Sequence, residues 1–168
     1  MSEMAENNDN AMDTIAEDAI EKSESAQEEK FLIFSILGRQ YSFPSRFISE
    51  ITLFETVYPL PLMPAYVLGV INRYSIPYAL FDIGLLLFKN PSPRNKVLIL
   101  KDDIDRIAFL IDDVIGLADI PSSEIIEVER SELNDITETV LASFKWNDDD
   151  VFVLDINRIM AHVTGTEA

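Results

Sequence analysis

Acid–base or metal chemistry in this chain would have to rest on its single histidine, His162, and on three clusters of carboxylates. His162 lies close to the C-terminal residue, without a carboxylate or nucleophile at catalytic spacing, so a surface side chain is expected there rather than a general base. Asp102, Asp103 and Asp105 fall in one turn and Asp148, Asp149 and Asp150 in another. Neither turn has the alternating ligands, glycine and distal glutamate of a calcium loop, and acidic hairpin tips that resist edge pairing are the simpler reading. Asp112 and Asp113 follow the run RIAFLI and are expected to be a strand end facing water rather than a paired acid and base. There is no Ser-His-Asp set, Gly-rich phosphate loop or HExxH. The absence of cysteine removes thiol nucleophiles, disulfides and Cys-based zinc sites. No enzyme, metal or cofactor is expected, and a metal-dependent enzyme built on the acidic turns is the weaker alternative.

Composition directs the search toward protein partners. A chain of 168 residues with 48% hydrophobic content suits one domain, or two small ones sharing a core. No apolar run approaches the roughly 20 residues that span a bilayer, and the N-terminus is polar and acidic, so a cytoplasmic protein with no direct membrane insertion is expected. A net charge of -17 repels phosphate backbones and anionic lipids, which excludes nucleic acid as a natural partner. The charge is uneven: residues 1–30 carry -8, residues 31–93 carry +1 and residues 94–168 carry -10.

Residues 1–30 lack aromatics and are expected to form a disordered acidic tail. From Phe31, FLIFSI and QYSFP flank Leu37-Gly38-Arg39 as a hairpin, and Pro44 ends the second strand. SRFISEI places Phe47, Ile48 and Ile51 at helix-like spacing, a short amphipathic turn capping an open barrel end. YPLPLMP reads as an extended linker, and VLGVIN and IPYALFDI as strands around a turn at Arg73, Tyr74 and Ser75. After a Pro-rich break at residues 89–95 the pattern restarts with KVLILKDD and RIAFLIDDVIGL, then LASFKW, the turn NDDD and VFVLDINRIM. ALFDIGLLL and FVLDINRIM echo each other, with Asp82 and Asp155 each placed to cap a short helix. The many short strands indicate a mainly β fold of two small antiparallel barrels.

FLIFSILGRQYSF, ISEI, MPAYVLGVIN, ALFDI and IAFLIDDVIGL together resemble the CheW-like chemotaxis coupling proteins. The run Pro-x-Tyr/Phe-Val/Ile-x-Gly-Val-x-Asn, here Pro64 to Asn72, with Asp82 ten residues on, is its most diagnostic part. The resemblance implies a CheW-like domain over residues 31–163, with two SH3-like five-stranded β-barrel subdomains sharing a core and carrying short helices. The first barrel would span about 31–93 and the second about 94–163, with strands exchanged between them or not, leaving residues 164–168 as a C-terminal tail. It implies an adaptor that joins the cytoplasmic tip of a methyl-accepting chemoreceptor to the regulatory domain of a CheA-type histidine kinase. Closed rings of coupling proteins and kinase domains, recruited to receptor arrays at the membrane, are implied too. A scaffold for a non-chemotactic kinase pathway is the alternative.

The family usually has Asn-Leu-Arg-Gly where this chain has Asn72-Arg73-Tyr74-Ser75, so Tyr74 stands at the place of an arginine that pairs with a glutamate at the position of Glu50. Either Arg73 reaches Glu50 through an irregular turn, or the pair is absent. Pro77 replaces an aliphatic residue and points to an edge or bulge. The resemblance puts receptor binding on Ile48, Glu50, Ile51, Arg73 and Tyr74, with Val114 and Leu117 as the opposing wall, the four aliphatics being equally well accounted for as core. Kinase binding is expected at Val57, Leu60 and Met63 beside the Pro-rich linker, which is pre-extended and so loses less entropy on binding.

Overall fold

Leu37 and Gly38 both adopt positive φ, 50° and 77°, forming a two-residue loop whose twist matches right-handed strands. They join β1 (Glu28–Ile36) to β2 (Arg39–Pro44). In this computed structural model, which describes residues 27–101, 103, 105–129 and 138–165, nine further strands follow. They are β3 (Ile48–Leu53), β4 (Val67–Arg73), β5 (Ile76–Asp82), β6 (Lys96–Leu100), β7 (Ile107–Ile111), β8 (Asp113–Pro121), β9 (Ile126–Glu127), β10 (Val140–Trp146) and β11 (Asp149–Leu154). Helix α1 (Ile83–Phe88) follows β5 and α2 (Ile156–Thr164) follows β11.

Two sequence-based expectations need correction. Residues 28–30 belong to β1 and not to the acidic tail, because their backbone pairs with β8, Lys30 opposite Asp119 with an ion pair of 3.5 Å between them. Residues 1–26 lie outside the described residues. Ile48 to Ile51 form strand rather than an amphipathic helical turn: only Ser45–Phe47 makes a single 3-10 turn, after which Ile48–Leu53 pairs with β6. A bulge at Ser49 shifts the register, so a helix-like spacing of apolar residues was produced by an irregular strand.

One sheet runs β8-β1-β2-β11-β10-β9 and the other β3-β6-β7-β5-β4. Neither is contiguous in sequence. β3 follows β2 but pairs with β6, and β8 follows β7 but pairs with β1, so residues 31–93 and 94–163 do not each fold into their own sheet. The plan is nonetheless the same in both: an outer strand, an antiparallel central hairpin, and a parallel step to a second hairpin (β5 on β7, β11 on β2). The sixth strand, β9, has only two residues, and its counterpart on the other sheet is an isolated bridge between Tyr58 and Val70.

Between the sheets lies the largest apolar cluster, including Leu32, Phe34, Phe43, Phe81, Leu98, Phe109 and Leu154. Phe43 of β2 stacks on Phe109 of β7 at 5.8 Å, linking the two central hairpins. β7 is buried along its whole length, which accounts for the unbroken apolar run IAFLI. Each hairpin then feeds a capped helix: Asp82 accepts from Leu85 N, and Asp155 from Asn157 N and Arg158 N.

Candidate protein-binding site

β3 and β4 are opposite edges of the five-stranded sheet, yet they meet. Past β3 the chain turns back along β4, where Tyr58 N donates to Val70 O and Val70 N to Tyr58 O, both at 2.8 Å. Gly69, at φ 137°, permits this approach, since a Cβ there would lie 2.8 Å from the Tyr58 carbonyl carbon and 2.9 Å from Pro59 Cα. Further along β4, Arg73 reaches across the same seam to Glu50. Its Nε donates to both carboxylate oxygens at 3.1 Å, NH2 closes on Oε1, and Glu55 lies 3.8 Å from NH1.

The ion pair therefore forms with a one-residue offset, without an irregular turn. Strand alternation puts Arg73 on the same side as buried Ile71, toward the seam, while Tyr74 and Ser75 (φ 50° and 66°) make the two-residue loop outside it. Pro77 also finds an edge. Ala79 N donates to Arg106 O just before β7 begins, so Pro77, facing the same way two residues earlier, needs no N–H for the ladder.

Arg73 hydrogen bonds, partly opposed by desolvation, hold the Glu50 carboxyl below its ordinary value of 4.5, and Glu50 in turn raises the Arg73 guanidinium further. A depressed acid stabilises the folded state above its unfolded pKa, and this contribution is lost as pH falls through the folded value. Glu50→Gln should accordingly melt lower than wild type at pH 7, and the gap should close as pH falls below the ordinary Glu value of 4.5. A gap that persisted in acid would show that the charge pair is not its source.

β3 and β8, the exposed edges of the two sheets, are related by the shared plan. Lys96, opposite Leu53 at the end of β3, binds Asp113 at the start of β8, while Arg46 just before β3 binds Glu29, which pairs with Ile120 at the far end of β8. Both strands bulge at matching places, Ser49 and Ile115. Ile48 and Val114 occupy equivalent positions, opposite Leu100 and Phe34, and both pack half-buried on the shared core. Ile51 and Leu117 are equivalent too, and both face solvent, 37% and 60% exposed. Glu50 corresponds to Gly116, and Arg73 to Trp146, whose ring lies 3.5 Å from where a Gly116 Cβ would be. One half closes its seam with an ion pair, the other with an indole laid on a glycine.

Among the residues expected to bind the kinase, Val57 is half-buried against the Ile71 and Leu80 cluster, whereas Leu60 and Met63 are exposed. Sequence reasoning missed Leu53, Tyr58 and Leu62, the last wholly exposed at φ 59°. Period-two alternation from Ile51 would have found Leu53 had β3 been read as a strand.

Asp113 is held below the usual carboxylate range chiefly by its bond to Lys96, and Asp112 accepts from Gly38 N at 3.2 Å, so this pair serves the fold. Asp102 lies outside the described residues. Among the described residues no three His, Cys, Asp or Glu converge where a metal could sit. No helix among them is long and apolar enough to cross a membrane.

Two β sheets around one core carry apolar side chains turned outward on matched edges, Ile51 on one and Leu117 on the other. The CheW-like domain model matches residues 30–164, and the chain belongs to that family, whose class of role is a coupling scaffold in chemotaxis. The fold is similar to that of the scaffolding protein TtCheW from Thermoanaerobacter tengcongensis, with a TM-score of 0.68 and 16% identity over 77% of this chain and 90% of that one. No curated protein is a significant sequence match.

Proposed function

We propose that this protein couples the cytoplasmic tip of a methyl-accepting chemoreceptor to the regulatory domain of a CheA-type histidine kinase, by protein–protein binding alone. The observation that carries this reading, within the family, is two separate outward apolar surfaces. Ile51 and Leu117 flank the junction of the sheets, near the Glu50–Arg73 pair and Tyr74, with Ile48 and Val114 beneath as support. Leu60 and Met63 stand on the Pro-rich segment after Val57. The first is the receptor side and the second the kinase side. Assembly into rings with kinase domains, in arrays at the cytoplasmic face of the membrane, follows from the same reading.

Titration with the kinase regulatory domain should show saturable binding at micromolar or lower Kd. Leu60→Asp with Met63→Asp should weaken it at least tenfold, or about 1.4 kcal/mol, while Tyr74→Arg leaves it unchanged. Failure of wild type to bind at high concentration defeats the coupling role for that kinase. The replacement of the usual Arg-Gly by Tyr74-Ser75 favours, as second reading, a kinase pathway outside chemotaxis, which binding to such a kinase in place of the CheA type would establish.

A further inference from the structure

The Tyr74–Ser75 turn is built on a backbone that its residues disfavour. The matching turn between β10 and β11 has the same conformation, φ 51° and 68°, but is made by Asn147 and Asp148, types that enter the left-handed region readily. In the β1–β2 turn Leu37 takes the first place at the same φ of 50°, but its side chain packs on the shared core, and Gly38 takes the second. An aromatic residue gains no backbone stability from φ 50°, and strain kept at a surface position points to a use for the side chain. Tyr74 is 79% exposed, and the Arg73 guanidinium carbon lies 4.7 Å from its ring centroid. Arg73 is itself anchored by Glu50, with Glu55 beside it, so it stays against one face of the ring. The other face is left open, and a cation already on the ring makes a second cation there unfavourable, so that face suits apolar C–H surface.

We infer that Tyr74 is the specificity-determining contact of the receptor-side surface, taking an apolar side chain of the partner on its open face in place of the charged donors the family carries at that position. This rests on the receptor-binding reading above. Ser75 and Arg73 act as positioning residues, the first by sharing the turn and the second by fixing the ring.

The test is calorimetric titration of the full chain with a soluble cytoplasmic tip fragment of its cognate chemoreceptor, using wild type and Tyr74→Phe, Tyr74→Gly and Tyr74→Arg. Tyr74→Phe should bind within about twofold of wild type, because the ring face is the contact. Tyr74→Gly and Tyr74→Arg should lose at least about tenfold, with a less negative heat-capacity change for the glycine variant. Glycine is at ease at positive φ, so Tyr74→Gly should melt within about 2 °C of wild type, separating contact from stability. Wild type and Tyr74→Gly binding equally would overturn the inference and leave receptor binding standing, as would a Tyr74→Arg variant that bound as well as wild type. A fall in melting temperature that tracks the loss of affinity would overturn it in favour of a structural role. No binding by wild type would defeat both readings.

Discussion

Gly69→Ala is expected to melt about 6–12 °C below wild type, a loss of about 3 kcal/mol. Two effects add. Alanine at φ 137° is strained by its own backbone, and its Cβ would sit within 3 Å of both the Tyr58 carbonyl carbon and Pro59 Cα. Backbone on both sides leaves no flexible side chain to give way, so the bridge between Tyr58 and Val70 must open. Gly38→Ala is the control: its φ of 77° carries the same kind of penalty, but nothing lies within 4 Å of the added carbon, and about 1 kcal/mol is the expected cost. Hydrogen exchange at the Tyr58 and Val70 amides should accelerate only in the Gly69 variant. Leu60 and Met63 lie just beyond Tyr58, so the proposed kinase-side surface should loosen with the bridge. Wild-type melting and wild-type protection in Gly69→Ala would show that this seam contributes little to the fold.

Asp82→Ala is expected to cost about 2–4 kcal/mol, and Asp155→Ala about 1 kcal/mol, although both residues cap a helix at equivalent places. Asp82 is almost wholly buried. It accepts from Leu85 N at 3.0 Å and, with both oxygens, from Ser92 N at 3.2 and 3.1 Å. Its removal leaves two backbone donors without acceptors, the Ser92 N–H buried and the Leu85 N–H partly so. The loop it holds lies tight on α1, since a Cβ at Gly84 would come within 2.9 Å of Asn90 O. Asp155 caps and also pairs with Arg158 at 3.4 Å, but its side chain is partly in water. Asp82→Asn should fall between wild type and alanine, because an amide keeps one acceptor oxygen. Chemical denaturation of the three variants decides this, and equal losses at positions 82 and 155 would refute the clamp. The Asp82 side chain bonds to Leu85 and Ser92, neither of them proposed to bind a partner, so the folded fraction should bind partners normally.

Much of this was legible from local chemistry. Positive-φ turns at Leu37-Gly38 and Asn147-Asp148, the Pro44 strand end and the two aspartate caps each depend on a residue and its near neighbours, and each stands where the sequence puts it. The strand character of Ile48–Leu53 was not legible, because a bulge at Ser49 disguises a period of two as a helical spacing, and only pairing with β6 reveals it. The exposure of Leu62 and Leu53 was equally hidden, since apolar residue type predicts burial and these two face solvent.

The sequence by itself determined the family, the mainly β class, the caps and the turns, and it posed the question of Arg73 and Tyr74 without answering it. That answer belongs to the tertiary structure. Whether Arg73 meets Glu50 depends on two edge strands, far apart in the sheet order, being brought together by the returning Tyr58 segment. The exchange of β3 and β8 between sheets is of the same kind. Both are settled by long-range backbone pairing and a shared core, which no window of neighbouring residues contains.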